Sequence, residues 1–346
     1  MEQRLSFLMD FYKQAIERYG WYGFWNYGDV MHRFDPHRRE WMYDVGGFAW
    51  DNTELASNMM LWYNFLRTAD PAVWRMAEAM TRHTAEVDAY HDGPFRMLGS
   101  RHNVSHWGCG AKEARISQAA WNRFYYYLTA DERTGDVMTE VRDADSTLYH
   151  LDPMRLAQPR SLYPCTAPAR LRIGPDWLAY AANWMTEWER TQNTTYRNKI
   201  LTGMKCIAAF RHGIFSGPKA LGFYPDTGAI TNECDIALQN TNHLLPIMGG
   251  FEVMNEMIPM MDCEPWNQTW LNFCRDYKEK ARTISNNRFL IPRLHAYAGW
   301  LLGDKALTDD AWNDLLRFKS PSDPILYTND AATWTLDAIF LQEVGR

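Results

Sequence analysis

The sequence predicts an all-α fold, an (α/α)6 toroid of helical hairpins, and three observations carry that expectation. A phrase recurs along the chain: an apolar segment of helical length, a short polar turn, then a second helical segment. It is plainest in "MMLWYNFLRTADPAVWRMAEAM" (59–80) and "NRFYYYLTADERTGDVMTEV" (122–141). It returns in "WMTEWERTQNTTYRNKILTGM" (184–204), "NEMIPMMDCEPWNQTWLNF" (255–273) and "AYAGWLLGDKALTDDAWNDLL" (296–316). Each turn also holds a short acceptor side chain, at Asp70, Asp131, Asn193, Asp262 and Asp304, suited to capping the second helix by accepting its free backbone N–H groups. These positions lie 61, 62, 69 and 42 residues apart, a spacing that fits hairpins joined by loops of unequal length better than a tight tandem array. Finally, strand-like alternation is scarce, confined to "LRIG" and "GFYPDTG". About twelve helices result, read as a single domain over 1–346.

Taken in order, "MEQRLSFLMDFYKQAIERYG" reads as an amphipathic helix and not as a signal peptide. The turn-rich stretch "YGWYGFWNYGDVMHRFD" (19–35) then carries Trp21, Tyr22, Trp25, Tyr27, Asp29, His32 and Arg33. In "WMYDVGGFAWDNTELASNMMLWY" (41–63), Asp51, Asn52 and Glu54 stand at the start of an inner helix, where Asp51 or Asn52 suits an N-cap. Capping leaves the neighbouring Tyr43 and Trp50 unexplained. The segment 83–127 is the densest in polar and aromatic groups. Its His83, Asp88 and His91 read as a solvated helix end, whereas "GSRHNVSHWGCG" (99–110) spends Arg101, His102, His106 and Trp107 in a loop bounded by glycines. Packing accounts poorly for two imidazoles there. Cys109 adds a third possible metal ligand, but in no recognised zinc spacing, so no metal is expected. A fourth cluster, "SGPKALGFYPDTGAITNECDIALQNTNHLLP" (216–246), offers Tyr224 and His243. Further helices close the chain through "NDAATWTLDAIFLQEVGR".

Composition narrows the function classes. The 346 residues, 46% apolar, carry a net charge of −6 and no basic run, which argues against a nucleic-acid groove or an anionic membrane surface. No stretch approaches twenty apolar residues. There is no GxGxxG, GxxxxGK[ST], GxSxG or HExxH, so nucleotide, serine-hydrolase and zinc-peptidase chemistries lack support, and no cofactor is expected. The 16 tryptophans, 18 tyrosines and 16 phenylalanines exceed ordinary use. Aromatic faces stack on the apolar faces of sugar rings while leaving hydroxyls free to hydrogen-bond, although a ring-packed helical core explains the same surplus.

The combination of "YGFWNYGD", "GGFAWDNTELASNMMLWYNFLRTADP", "DAYHDG" and "SRHNVSHWGCGAKEAR" followed by "YYYLTADERTGD" resembles the helical toroid domain of the exo-rhamnogalacturonan lyase and YetA-like family, polysaccharide lyase family 26 and relatives. The resemblance is clearest over 19–140. Proteins of that family carry β-sandwich domains ahead of the toroid, while this chain begins with its helices. A stand-alone relative, a shortened chain and a different enzyme on the same ring are the alternatives.

The resemblance implies an oligo- or polysaccharide substrate containing uronic acid, cleaved by β-elimination. Such an enzyme must neutralise the C6 carboxylate, remove the C5 proton and protonate the departing O4. Arg101 or Arg115 would bind the carboxylate, His102 or His106 would act as base, and Tyr27 or the other histidine would serve the leaving group. Trp25, Tyr43, Trp50, Asn52, Trp107, Arg115, Tyr224 and His243 are the candidate substrate contacts. The rival is a glycosidase using two carboxyl groups from among Asp29, Asp44, Asp51, Glu54 and Glu113. A non-catalytic glycan-binding or interaction protein is the third reading.

Overall fold

The computed structural model describes residues 1–22, 27–45, 49–100, 111–153, 161, 164–217, 220–233, 240–285, 290–319, 321 and 323–345. Helix dominates, as the recurring phrase requires. The described residues hold thirteen α-helices, one of them only four residues long, and nine short strands. Contacts group the chain into two compact units, 1–138 with 312–346, and 139–311. No described helix is long and apolar enough to cross a membrane.

In the first unit α1 (Glu2–Tyr19) buries one stripe, Leu5, Leu8, Met9, Tyr12 and Ala15. The helices α2 (Ser57–Thr68) and α3 (Pro71–His83) form the first hairpin. Burial separates their roles. Six consecutive residues of α2, Ser57 to Trp62, are buried, so that helix is enclosed, whereas α3 buries one face through Val73, Met76, Ala77 and Met80. Trp62 of α2 donates its indole N–H to Thr81 Oγ1 at 2.9 Å, tying the pair together. The chain continues through α4 (Ala114–Ser117), α5 (Arg123–Thr129) and α6 (Glu132–Glu140), and α13 (Thr328–Val344) packs against α1 and α2.

The second unit repeats this division. Residues 178–187 of α7 (Leu178–Thr191) are buried without a gap, while α8 (Thr194–Ala209) buries one face. It continues with α9 (Phe251–Met261), α10 (Glu264–Ser285), α11 (Pro292–Leu302) and α12 (Lys305–Asp314). The two stretches expected to be strand-like meet in one sheet. There Ala169–Leu171 pairs with Leu221–Tyr224, which pairs in turn with Ala229–Thr231, all antiparallel. Most of the aromatic surplus is core: Trp21, Trp41, Trp62 and Trp121 in the first unit, and Trp177, Trp184, Trp266 and Trp270 in the second, are fully buried.

The hairpin turns share one construction of two residues, the first left-handed and the second a cap. Ala69, Ala130, Gln192, Asp262 and Gly303 take the left-handed position, with φ between 50 and 64°. Asp70, Asp131, Asn193 and Asp304 then accept from backbone N–H groups of the next helix, at 2.7, 2.8, 3.0 and 2.9 Å. In three of the turns a threonine closes the preceding helix. Thr68, Thr129 and Thr191 each donate to the carbonyl four residues back and accept from the N–H of the cap residue. The fourth turn departs from expectation. Asp262 occupies the left-handed position (φ 50°), which displaces Cys263 into the cap position, so Asp262 is not the N-cap.

Left-handed backbone costs a non-glycine residue about 1–2 kcal/mol, partly offset by the smaller entropy its unfolded chain loses relative to glycine. Ala130→Gly, at an exposed turn, should therefore stabilise the protein by up to about 1 kcal/mol. Urea denaturation checks this, and a lower midpoint would contradict the strain argument.

Candidate functional site

The segment 50–54 fans its side chains out to four different elements of the first unit. Four two-residue strands and a short 3-10 turn, too brief to show periodicity in sequence, set it in place. Val30–Met31 (β1) pairs antiparallel with Trp50–Asp51 (β4), Val30 opposite Asp51 and Met31 opposite Trp50. That register brings His32 to Asp51, with Nδ1 2.6 Å from Oδ1. The other Asp51 oxygen accepts from Thr328 Oγ1, at the start of α13, at 2.8 Å. Burial acts to lower the His32 pKa, but the hydrogen bond and charge of Asp51, with Glu54 and Asp330 farther off, raise it above the ordinary histidine value. The pair has the form of an acid–base dyad, with the carboxylate fixing the ring.

Asn52 caps the turn Thr53–Leu55 by accepting from Glu54 N at 3.2 Å. The capping expected of this segment thus falls to Asn52. Its amide also donates to Ser100 O at 2.8 Å. Ser100 belongs to a second pair of strands, in which Gly99–Ser100 (β5) runs antiparallel to Lys112–Glu113 (β6), reinforced by Lys112 Nζ on Ser100 Oγ at 2.9 Å. Residues 101–110 lie between these strands in sequence. Arg101, His102, His106 and Trp107, like Trp25, fall outside the described residues.

Glu54, 3% exposed, faces Arg115 at 3.4 Å, and the same guanidinium holds Glu113 at 2.9 Å. Arg115 is itself 3% exposed. One buried cation thus serves two buried carboxylates, an arrangement that fixes Glu54 and Glu113 in place.

Asp29 is also buried, 1% exposed. It shares a site with His83, the last residue of α3, and with Asp88, both enclosed. This overturns the reading of His83 and Asp88 as a solvated helix end; His91 is half-buried. Burial acts to lower the His83 pKa, but the charges of Asp29 and Asp88 carry it far above the ordinary value. Burial and the like charge of Asp29 raise Asp88, partly offset by His83 and by a hydrogen bond from Asn52.

The aromatic candidates divide by exposure. Trp50 is 9% exposed and stands edge-on to Trp21 and Tyr43, at 6.1 and 6.3 Å, so its ring is mostly packed. Tyr43 is half in solvent and accepts from the Trp21 indole at 3.2 Å. Tyr27, also exposed, lies 5.9 Å from Tyr22. Trp21, Tyr22, Tyr27 and Asp29 border a pocket of about 210 Å³, with Lys13 and Arg75 among its other walls. Tyr224 and His243 belong to the second unit. Sequence reasoning missed the His32–Asp51 dyad and the Asp29–His83–Asp88 group, because both depend on contacts that no local pattern encodes.

The family model described as the PcRGLX-like protein C-terminal alpha/alpha toroid domain matches residues 1–323. "Uncharacterized protein YetA" of Bacillus subtilis (strain 168) is 41% identical over 348 residues, covering 97% of this chain. The chain spans 40% of that relative's length.

Proposed function

As the chain belongs to the PcRGLX-like C-terminal alpha/alpha toroid family, a carbohydrate-active family, we propose that it is a polysaccharide lyase cleaving uronic-acid-containing, rhamnogalacturonan-like glycans by β-elimination. The observation that carries this reading is the clasp of Gly99–Ser100 on Lys112–Glu113 beside Asn52 and the Glu54–Arg115–Glu113 group. The clasp brackets in sequence the segment that carries Arg101, His102 and His106. The pocket bordered by Trp21, Tyr22 and Tyr27 adds aromatic surface suited to sugar faces.

In this mechanism one of His102 and His106 takes the C5 proton. The electron pair forms the C4–C5 double bond, the C4–O4 bond breaks, and the other histidine or Tyr27 gives O4 its proton. Carboxylate neutralisation falls to Arg101, since the Arg115 guanidinium already holds two carboxylates. Trp25, Trp107 and Tyr43 supply stacking surface.

The product carries a double bond conjugated with the carboxylate, which hydrolysis cannot make. Incubation with rhamnogalacturonan and other uronate glycans should therefore raise ultraviolet absorbance in step with new chain ends. New reducing ends without that absorbance would overturn the lyase in favour of a glycosidase built on a carboxylate pair. An unchanged glycan would favour a binding protein.

A further inference from the structure

We propose that Asp29, His83 and Asp88 form a binding site for one divalent transition-metal ion of the zinc class, independent of any glycan chemistry. The three candidate ligand atoms lie within 4.8 Å of one another, and all three residues are buried. Their spacing is the first argument. His83 Nε2 stands 3.3 Å from Asp29 Oδ2 and 3.4 Å from Asp88 Oδ1. Charge-assisted hydrogen bonds between such groups close to about 2.7–2.9 Å. Ligand atoms on a tetrahedral zinc ion, each about 2.0–2.2 Å from the metal, stand about 3.4 Å apart. The observed spacing matches the second geometry.

His83 Nε2 is enclosed and faces both carboxylates. A ring nitrogen among the donors selects against calcium and magnesium, which prefer oxygen throughout.

The backbone is shaped to bring the three residues together. In a regular α-helix, positions five apart point about 140° away from each other, so His83 and Asp88 could not share a ligand. After His83 the helix widens into a π-turn over Thr84–Asp88, closed by Ala89 N on Thr84 O at 3.2 Å. A turn that closes over five residues sets Asp88 alongside His83, and such turns recur at functional sites. Gly28 performs the same service for Asp29. With φ at 115°, its Cα lies so close to α3 that an added Cβ would fall 2.5 Å from Ala79 O and 2.6 Å from His83 Cβ. Asn52, whose amide donates to Ser100 O, acts to lower the Asp88 pKa. Asp29 also borders the 210 Å³ pocket.

The test uses the full chain, stripped with a strong chelator and titrated calorimetrically with Zn²⁺, Co²⁺ and Ca²⁺, with bound metal counted by elemental analysis. One equivalent of Zn²⁺ or Co²⁺ should bind, raising the thermal midpoint, while Ca²⁺ binds at least tenfold more weakly. The Co²⁺ form should show visible bands of a low-coordinate nitrogen–oxygen site. Asp88→Asn, close to isosteric, should weaken Zn²⁺ at least tenfold and shift those bands. His83→Gln should do the same if it folds. No stoichiometric metal in the wild-type chain would overturn the site, leaving His83 as a protonated bridge between two aspartates. Undiminished binding in Asp88→Asn with unchanged bands would also overturn it.

Discussion

Changing His102 or His106 to alanine should lower the rate of glycan cleavage by about 10²–10⁴-fold at whichever position holds the base, because proton transfer by a positioned side chain contributes that much. The loss should fall on kcat and leave KM nearly unchanged, since the ring meets the C5 proton chiefly in the transition state. The companion histidine, or Tyr27, should give a smaller loss that grows with the basicity of the leaving oxygen. Both variants should fold. The backbone clasp between Gly99–Ser100 and Lys112–Glu113, and the Asn52 bond to Ser100, involve neither imidazole. Steady-state kinetics on a uronate glycan, with circular dichroism as the folding control, decide the matter. Near-full activity in both variants would remove the segment from the chemistry and direct attention to His32, whose ring Asp51 already orients.

Arg115→Met is the substitution expected to cost the most stability, about 3–5 kcal/mol, because it breaks a buried ion pair with Glu54 and another with Glu113. The cost should come mainly from the lost charge pairing and not from lost packing. Methionine fills much of the arginine stem, and the Arg115 carbonyl keeps its bonds from Trp121 Nε1 and Gln118 Nε2. Combining Arg115→Met with Glu54→Gln and Glu113→Gln should therefore recover more than half of the loss, since neutral amides do not need the lost cation. Urea denaturation of the single and triple variants measures this coupling. Additive losses would show that the three side chains act separately.

What the sequence decided by itself is the hairpin plan. Three of the turns are local events of one kind: a threonine bonding four residues back, a left-handed residue, then Asp or Asn capping the next helix. All three signals lie within a few residues of one another, as in "LRTADP" and "YLTADE". The strands near "LRIG" and "GFYPDTG" were legible for the same reason, but their pairing into one sheet was not. Asp262 was misread because local chemistry lets Asp serve as a cap or as a left-handed residue, and the start of the following helix at Glu264 makes the choice.

The polar groups at 29–54 and 83–115 could be named from sequence, but their pairing could not. Asp51 meets Thr328 across 277 positions, Asn52 meets Ser100 across 48, and Glu54 finds Arg115 in a third element. Two-residue strands too short to carry a period set those meetings. Asp88 shows the limit most clearly. Helical periodicity turns it away from His83 toward solvent, and a single widened turn carries it back into the interior. Local hydrogen bonding makes helices and turns wherever the residues allow, whereas which buried charge faces which follows from how the helices pack.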